Sequence, residues 1–157
     1  MGKVKKYKLE CEIDHDYFLI GIHSVLEDFR LAYLLNSEFN INLKRVSKNI
    51  EFSKKEGSFS NFDFEDQASF CYWSLISNKF VEEQEVSKNQ LSIFEQISNT
   101  YVLISEKKNT DYFLKIEGDF TNEEIQNITK KINSIHRVMT TYEMDPETLK
   151  SKDFLIF

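Results

Sequence analysis

Glycine and proline are scarce in this chain of 157 residues, which has 4 glycines and 1 proline. The glycines stand singly, at positions 2, 21, 57 and 118. A Gly-rich loop that cradles phosphates or a dinucleotide therefore cannot form, and the G-x-S-x-G elbow of the serine hydrolases is absent too. The low glycine and proline content also excludes collagen-like and linker-rich architectures.

Cysteine is equally rare, with Cys11 and Cys71 as the only two. They form no C-x-x-C pair, which excludes a zinc ribbon and a thioredoxin-like redox site. Both stand in apolar stretches, which favours buried, reduced thiols in a cytoplasmic protein. The spacing alone leaves a disulfide between them open.

No apolar run is long enough to cross a bilayer. The longest, residues 17–35, is interrupted by His23, Glu27, Asp28 and Arg30. It therefore predicts a core helix and not a membrane span. The N-terminal residues lack the apolar centre of a signal peptide, and Lys6 breaks the myristoylation pattern. We expect a cytoplasmic protein that does not associate with membranes.

Positive charge is in deficit, with 20 Lys and Arg against 26 Asp and Glu, so the net charge is -6. The acidic excess is concentrated in residues 61–124. A net acidic chain repels phosphate backbones, which disfavours nucleic acid as a partner. The basic cluster of Lys3, Lys5, Lys6 and Lys8 fits the wet face of an edge strand better than a nucleic-acid arm.

Aromatic side chains are abundant, with 14 Phe, 7 Tyr and 1 Trp, and they can fill one sizeable core. Alternation over residues 4–13 predicts a strand whose buried face carries Tyr7, Leu9, Cys11 and Ile13. From residue 17 to about residue 36 the period becomes helical. The apolar face of this first helix would comprise Phe18, Ile22, Val25, Leu26, Phe29, Ala32 and Tyr33.

The middle of the chain alternates in short runs that predict strands at residues 46–52, 59–64, 70–80, 93–97, 101–104 and 112–116. Thr121 and Glu124 form a capping box, and isoleucines follow at helical spacing up to Ile135. This pattern predicts a second helix. A last strand covers residues 137–144, and Pro146 ends it.

The order strand, helix, several strands, helix, strand predicts an α+β fold in which close neighbours pair as antiparallel hairpins. We expect two helices on one face of the sheet, as in a ferredoxin-like sandwich with extra central strands. The chain would form a single domain over residues 1–157. Residues 146–157 would be a docked tail, because an exposed apolar end is costly. The tail could dock on its own sheet or in a second subunit.

A first group of candidate functional residues is His23, Glu27 and Arg30, with the nearby Asp14-His15-Asp16. On a helix, His23 and Glu27 lie four residues apart and share a face, where they could hold a metal or move a proton. The favoured alternative is a polar stripe in which Glu27 or Asp28 pairs with Arg30. We therefore expect no metal at His23 and no cofactor.

A second group lies in the segment 104–112, where two apolar stretches flank a polar turn. This arrangement predicts a hairpin with Glu106 and Asp111 near its mouth. Two carboxylates held close attract a cation, and an internal salt bridge is the favoured outcome. Tyr112 opens the strand that follows.

The same segment, Ile104-Ser105-Glu106-Lys107-Lys108-Asn109-Thr110-Asp111-Tyr112, resembles the signature of the bacterial IPExxxVDY family. Ser105 stands where the family name has Pro, and Thr110 where it has Val. Residues 19–36 resemble the family's first helix and residues 149–157 its tail, so the resemblance spans nearly the whole chain. It implies a small cytosolic protein. No reaction or catalytic residue comes with the family.

The missing catalytic motifs and the aromatic excess favour a non-enzymatic interaction module. We expect it to self-associate as a homodimer, through its sheet or an edge strand, or to bind an unknown protein partner. One alternative is a small metal-dependent or acid/base enzyme that uses His23 and Glu27. Another is a small-molecule sensor with an aromatic-lined pocket between helix and sheet.

Overall fold

The computed structural model describes residues 17–47, 50–52, 55–83 and 98–155. These residues form ten strands and two α-helices, which are numbered in chain order. The elements are β1 (Tyr17–Ser24), α1 (Asp28–Phe39), β2 (Lys44–Arg45), β3 (Ile50–Phe52), β4 (Lys55–Phe59), β5 (Asn61–Asp66), β6 (Cys71–Ser77), β7 (Lys79–Glu83), β8 (Ser98–Val102), β9 (Tyr112–Glu117), α2 (Asn122–Ser134) and β10 (Val138–Met144).

Six of the strands form one sheet in the order β10-β1-β9-β6-β5-β2, and every neighbouring pair is antiparallel. The four strands β10-β1-β9-β6, with the two helices, have the strand–helix–strand–strand–helix–strand connectivity of the ferredoxin-like sandwich. The predicted α+β class is confirmed. The extra strands come from the middle of the chain. β5 and β2 widen the sheet, and β3–β4 and β7–β8 form two separate hairpins.

The first helix begins later than the sequence pattern predicts. Residues 17–24 are strand β1, and α1 starts only at Asp28. β1 lies between β10 and β9, and apolar side chains are buried on both of its faces, so its sequence has no polar residue from Phe18 to Ile22. Such a run cannot be told from a buried helix by periodicity alone. α1 ends at Phe39, and the left-handed backbone of the following Asn40 (φ 53°) brings the Ile41 N–H to the Asn36 carbonyl at 3.2 Å.

The second helix has the capping box that the sequence predicts. The Thr121 side chain accepts a hydrogen bond from the Glu124 N–H, and the Glu124 carboxylate accepts one from the Thr121 N–H. The final strand also lies where expected, as β10. The run predicted as one strand over residues 70–80 is divided into β6 and β7 by Asn78. The strands predicted over residues 4–13 and 93–97 lie outside the described residues, as do Cys11 and Asp14-His15-Asp16.

The predicted hairpin around residues 104–112 is wrong. β8 pairs with β7 in a hairpin of its own, whereas β9 lies in the main sheet between β1 and β6. The segment between them therefore connects two layers and does not reverse within one sheet. It contains a short 3-10 helix over Ser105–Lys107.

Apolar side chains cover both faces of the main sheet. On one face, both helices pack on the sheet through Leu31, Leu35, Ile125, Ile128 and Ile132. On the other face, Leu19 and Phe113 of the central strands pack against Leu103, Ile104, Leu149 and Leu155. Leu149 and Leu155 belong to the C-terminal segment, so this part of the chain is buried against its own sheet. Among the described residues, no helix is both long and apolar enough to cross a membrane.

We expect Leu155→Ala to lower the free energy of unfolding by about 2–5 kcal/mol, because the side chain is fully buried and its removal leaves a cavity. Urea unfolding followed by circular dichroism measures the change. Val81→Ala is the matched control, since Val81 is 52% exposed and its truncation should change stability by about 0.5 kcal/mol or less. Equal stability of both variants would contradict docking of the tail on its own sheet.

Candidate functional site

His23 and Glu27 do not share a helical face, which corrects the first group. His23 lies on β1, where its ring stacks on Tyr142, and Glu27 is the exposed residue that precedes α1. The Glu27 carboxylate lies 3.8 Å from the Arg30 guanidinium, as the polar-stripe alternative expects. The described part of the chain contains no cluster of three His, Cys, Asp or Glu side chains that could hold a metal ion.

Asp111 joins the end of β1 to the start of β7. One carboxylate oxygen accepts a hydrogen bond from the Ser24 N–H at 3.0 Å, and the other accepts one from the Lys79 ammonium at 2.6 Å. The His23 ring nitrogen Nδ1 lies 3.9 Å from the first of these oxygens. Because the carboxylate is four-fifths buried, these partners replace the water it would otherwise bind.

Tyr112 fixes the connection between β1 and α1. Its buried hydroxyl donates a hydrogen bond to the Leu26 carbonyl at 2.6 Å. Burial raises the pKa of the Tyr112 phenol far above its ordinary value, and the nearby carboxylates of Asp28, Asp111 and Glu27 raise it further. The phenol therefore keeps its proton and remains a hydrogen-bond donor at physiological pH.

Glu106 binds a different part of the chain from Asp111. Its carboxylate accepts hydrogen bonds from the Ser151 N–H at 2.7 Å and the Ser151 hydroxyl at 2.8 Å. Partial burial pulls the pKa of Glu106 upward, but hydrogen bonds from its own backbone and from Ser151 outweigh this effect and hold the pKa at about 2. The two carboxylates therefore hold different parts of the chain, and in the part that the structure describes no cation pairs with both of them.

Asn78 holds the whole segment in place, and it was missed in the sequence. Its side-chain amide donates to the carbonyls of Lys107 and Thr110 and accepts from the Ile104 N–H, all within 2.9 Å. Its backbone also bonds to Leu103 and Asp111. Asn78 is fully buried, so water cannot replace any of these hydrogen bonds if it is lost. The only signal in the sequence was the polar triplet Ser77-Asn78-Lys79 inside the run over residues 70–80.

Two connections that lie far apart in sequence meet beside these residues. The Ser24 hydroxyl accepts a hydrogen bond from the Leu26 N–H at 3.1 Å and donates one to the Arg137 carbonyl at 3.0 Å. Ser24 therefore joins the β1–α1 connection to the turn between α2 and β10. Asp111 and Tyr112 fix the first of these connections, so the signature residues shape the surface that lies between the two.

That surface is an open groove of about 760 Å³ between α1 and the α2–β10 turn. We call it the α1 groove; it is lined by Leu26, Phe29, Arg30, Tyr33, Leu34, His136 and Arg137. A second cavity of about 230 Å³ adjoins it. The second cavity shares Leu26, Arg30 and Arg137 with the groove and adds Val25 and Glu27. Two arginines therefore stand where an apolar groove meets a more polar recess.

The outer wall of the groove is an exposed apolar ridge. Phe29 and Tyr33 of α1 line the groove and are 53% and 71% exposed. Val25, in the connection before the helix, lines the second cavity and is 67% exposed. The sequence analysis placed all three on the core face of the first helix, which is wrong. Because α1 starts only at Asp28, its buried face is instead formed by Leu31, Ala32 and Leu35.

Arg137 has an unusual backbone in this turn. Its φ angle is 72°, in the left-handed region that costs a residue with a Cβ about 1–2 kcal/mol. Its carbonyl is held by Ser24, while its exposed guanidinium has no ion-pair partner among the described residues. A strained residue with an unpaired charge at the mouth of a cavity is typical of ligand-binding positions.

Comparison with known proteins assigns no family to the chain. No protein-family model, no curated protein and no solved structure matches it. The function of the α1 groove must therefore follow from its own geometry and charge.

We expect Asp111→Asn to lower the free energy of unfolding by about 1–3 kcal/mol. The amide has one oxygen and no charge, so it cannot accept the Ser24 N–H and also pair with the Lys79 ammonium as the carboxylate does. Chemical denaturation measures the loss. Asp119→Asn, in an exposed turn, is the matched control and should unfold like the wild type. A fully stable Asp111→Asn protein would contradict the structural role of this carboxylate.

Glu106 should stabilise the fold in a pH-dependent way. Its pKa falls from 4.5 to about 2 on folding, so its contribution is present above pH 4.5 and is lost as the pH falls toward 2. The wild type should therefore exceed Glu106→Gln in stability near neutral pH, and the difference should shrink on acidification. The side chain is exposed, so the difference is small and weakened by salt. Thermal unfolding from neutral to acid pH measures it; a difference independent of pH would refute this role.

Proposed function

We propose that this protein is a small non-enzymatic interaction module and that the α1 groove, with its apolar ridge, is the docking surface. The observation that carries the proposal is the exposure of Val25, Phe29 and Tyr33 beside an apolar groove. Contiguous apolar surface with a polar rim is typical of protein–protein interaction sites. Aromatic and arginine side chains are also the residues that contribute most to binding energy in such sites.

The two edge strands of the main sheet are poor alternatives as docking sites. The outer strand β10 uses its Thr141 N–H for a hydrogen bond to the Asn133 side chain of α2. The opposite outer strand, β2, consists of two charged residues, Lys44 and Arg45. Short, charged or covered outer strands resist pairing with another chain. The proposed partner therefore docks on the helical side and does not extend the sheet.

A small-molecule sensor is the second candidate, because one specific observation favours it. The groove volume of about 760 Å³ falls within the range of known ligand pockets, and two of its lining residues are aromatic. However, such pockets bury most of their ligand, whereas here Phe29 and Tyr33 remain at least half exposed. The open shape fits a protein surface better than an enclosed ligand. The enzyme alternative has less support, since His23 and Glu27 lie in different elements.

The cellular setting belongs to the same proposal. We place the module in the bacterial cytoplasm, as a member of the IPExxxVDY family, with a second copy or another protein as its partner. Support comes from the signature at residues 104–112 and from the scarcity of cysteine. The signature residues Asp111 and Tyr112 contribute indirectly, because they hold the β1–α1 connection against which the groove forms.

Site-specific photo-crosslinking tests the docking surface in cells. The photoreactive residue p-benzoylphenylalanine replaces Tyr33 in one variant and Phe70 in the matched control. Phe70 is an aromatic residue that is 87% exposed but lies outside the groove. We expect irradiation to give defined protein adducts at position 33 and none at position 70. An adduct at twice the monomer mass would identify a second copy as the partner.

The added change Phe29→Ser should abolish those adducts without weakening the fold, because Phe29 is 53% exposed and outside the buried core. Thermal unfolding checks that the variant remains as stable as the wild type. Equal adducts at positions 33 and 70, or none at 33, would refute the proposed docking surface. A large loss of stability in Phe29→Ser would instead assign the ridge to the core.

A further inference from the structure

We propose that the partner segment bound in the α1 groove is an acidic amphipathic helix of another protein, with a carboxylate that binds between Arg30 and Arg137. This inference rests on the proposed function and adds the chemistry of the partner to it. It follows from three features of the groove: the spacing of its ridge, the position of its charges and the strain at Arg137.

The spacing of the ridge favours a helical partner. Phe29 and Tyr33 lie four residues apart on α1, along the row that packs into the grooves of a second helix. Val25 extends this ridge from the connection that precedes the helix. Arg30 and Leu34 have the same spacing on α1, and together with Leu26 of the preceding connection they line the groove beside the ridge. A helix laid along α1 could insert its own apolar row between the ridge and the α2–β10 turn. This is the helix-in-groove mode of recognition.

The charges favour an acidic partner. Arg30 and Arg137 line both cavities, and among the described residues Glu27 is the only acidic one that lines either of them. The Arg30–Glu27 pair is 3.8 Å apart and more than half exposed on both sides, so a partner's carboxylate can displace Glu27 at little cost. A basic partner would instead meet two guanidinium groups. This local positive charge is notable in a chain whose net charge is -6.

Contacts within the protein restrain each of the two arginines that line the cavities. The Arg30 guanidinium lies over the Phe29 ring, 5.9 Å from its centre, which holds it beside the apolar wall. The Ser24 hydroxyl donates a hydrogen bond to the Arg137 carbonyl and so fixes the backbone of Arg137. Glycine would adopt the left-handed backbone of Arg137 at a lower energetic cost. Binding of an anion by the guanidinium would explain why arginine stands at this position.

The test uses a displayed library of helices three to four turns long. Apolar-face positions are randomised, and two flanking positions are encoded as Glu, Gln or Lys. We expect selection on the wild-type protein to enrich peptides with large apolar residues and Glu at a flank. Fluorescence anisotropy should then show that the selected peptide binds about tenfold more weakly, a loss of about 1.4 kcal/mol, when its Glu is replaced by Gln.

Variants of the protein separate the charge from the backbone. Arg137→Gln should lose the preference for Glu over Gln, and Arg137→Lys should keep part of it. Arg137→Gly should melt at a higher temperature than the wild type, because the left-handed strain is relieved, and yet lose the preference. Phe70→Gly is the matched control: its φ of 52° is relieved in the same way, and its binding should not change.

Each other outcome overturns the inference in a recognisable way. Peptides that bind equally well with Glu and Gln, and that still need Phe29, would refute the carboxylate site and leave the docking surface standing. No enriched helix would refute the helical partner. If sedimentation velocity shows dimers that dissociate in Arg137→Gln, the occupant is a second copy. Tight binding of decanoate, but of no peptide, would identify a small-molecule site.

Discussion

The structure depends on the burial of the central sheet on both faces. β1 and β9 are interior strands of the six-stranded sheet, and their side chains alternate between the helical layer and the layer formed by β7, β8 and the C-terminal segment. A sheet covered on one side would leave Leu19, Ile76 and Phe113 in water. Because each such side chain gains roughly 1.5–3 kcal/mol on burial, both covers are needed for a stable domain of this length.

Covering both faces creates a second constraint, since the connections between layers must cross the end of the sheet. Backbone groups there have no strand partner and lie partly away from water. Asn78, Asp111 and Tyr112 satisfy these groups. Asn78 binds the connection from β8 to β9, Asp111 binds the end of β1, and Tyr112 binds the connection from β1 to α1. The signature-like segment therefore has a structural reason for its polar residues that needs no catalysis.

The sequence was informative where the environment of an element is one-sided. The second helix has one buried and one wet face, so its isoleucine stripe and capping box identified it almost to the residue. β1 has two buried faces, and the same reasoning took it for a helix. Because the helix was predicted to start at residue 17, its predicted buried face wrongly included Phe29 and Tyr33. The exposed ridge was therefore not predicted. The groove itself could not be foreseen, because it depends on Ser24 and Arg137, which are 113 residues apart.

The hydrogen-bonded connections need polar groups that bind within the protein, whereas the proposed docking surface needs side chains that remain available to a partner. In this chain different residues meet the two requirements. Asp111, Tyr112 and Ser24 face inward and use their hydrogen-bonding capacity within the protein, so they hold the groove in one shape. Phe29, Tyr33 and Arg137 face outward and contribute little or negatively to the stability of the isolated chain. A groove held rigidly before binding loses less conformational entropy when a partner arrives. Under this division, substitutions in the inward set should weaken folding and binding together, whereas substitutions in the outward set should weaken binding without destabilising the fold.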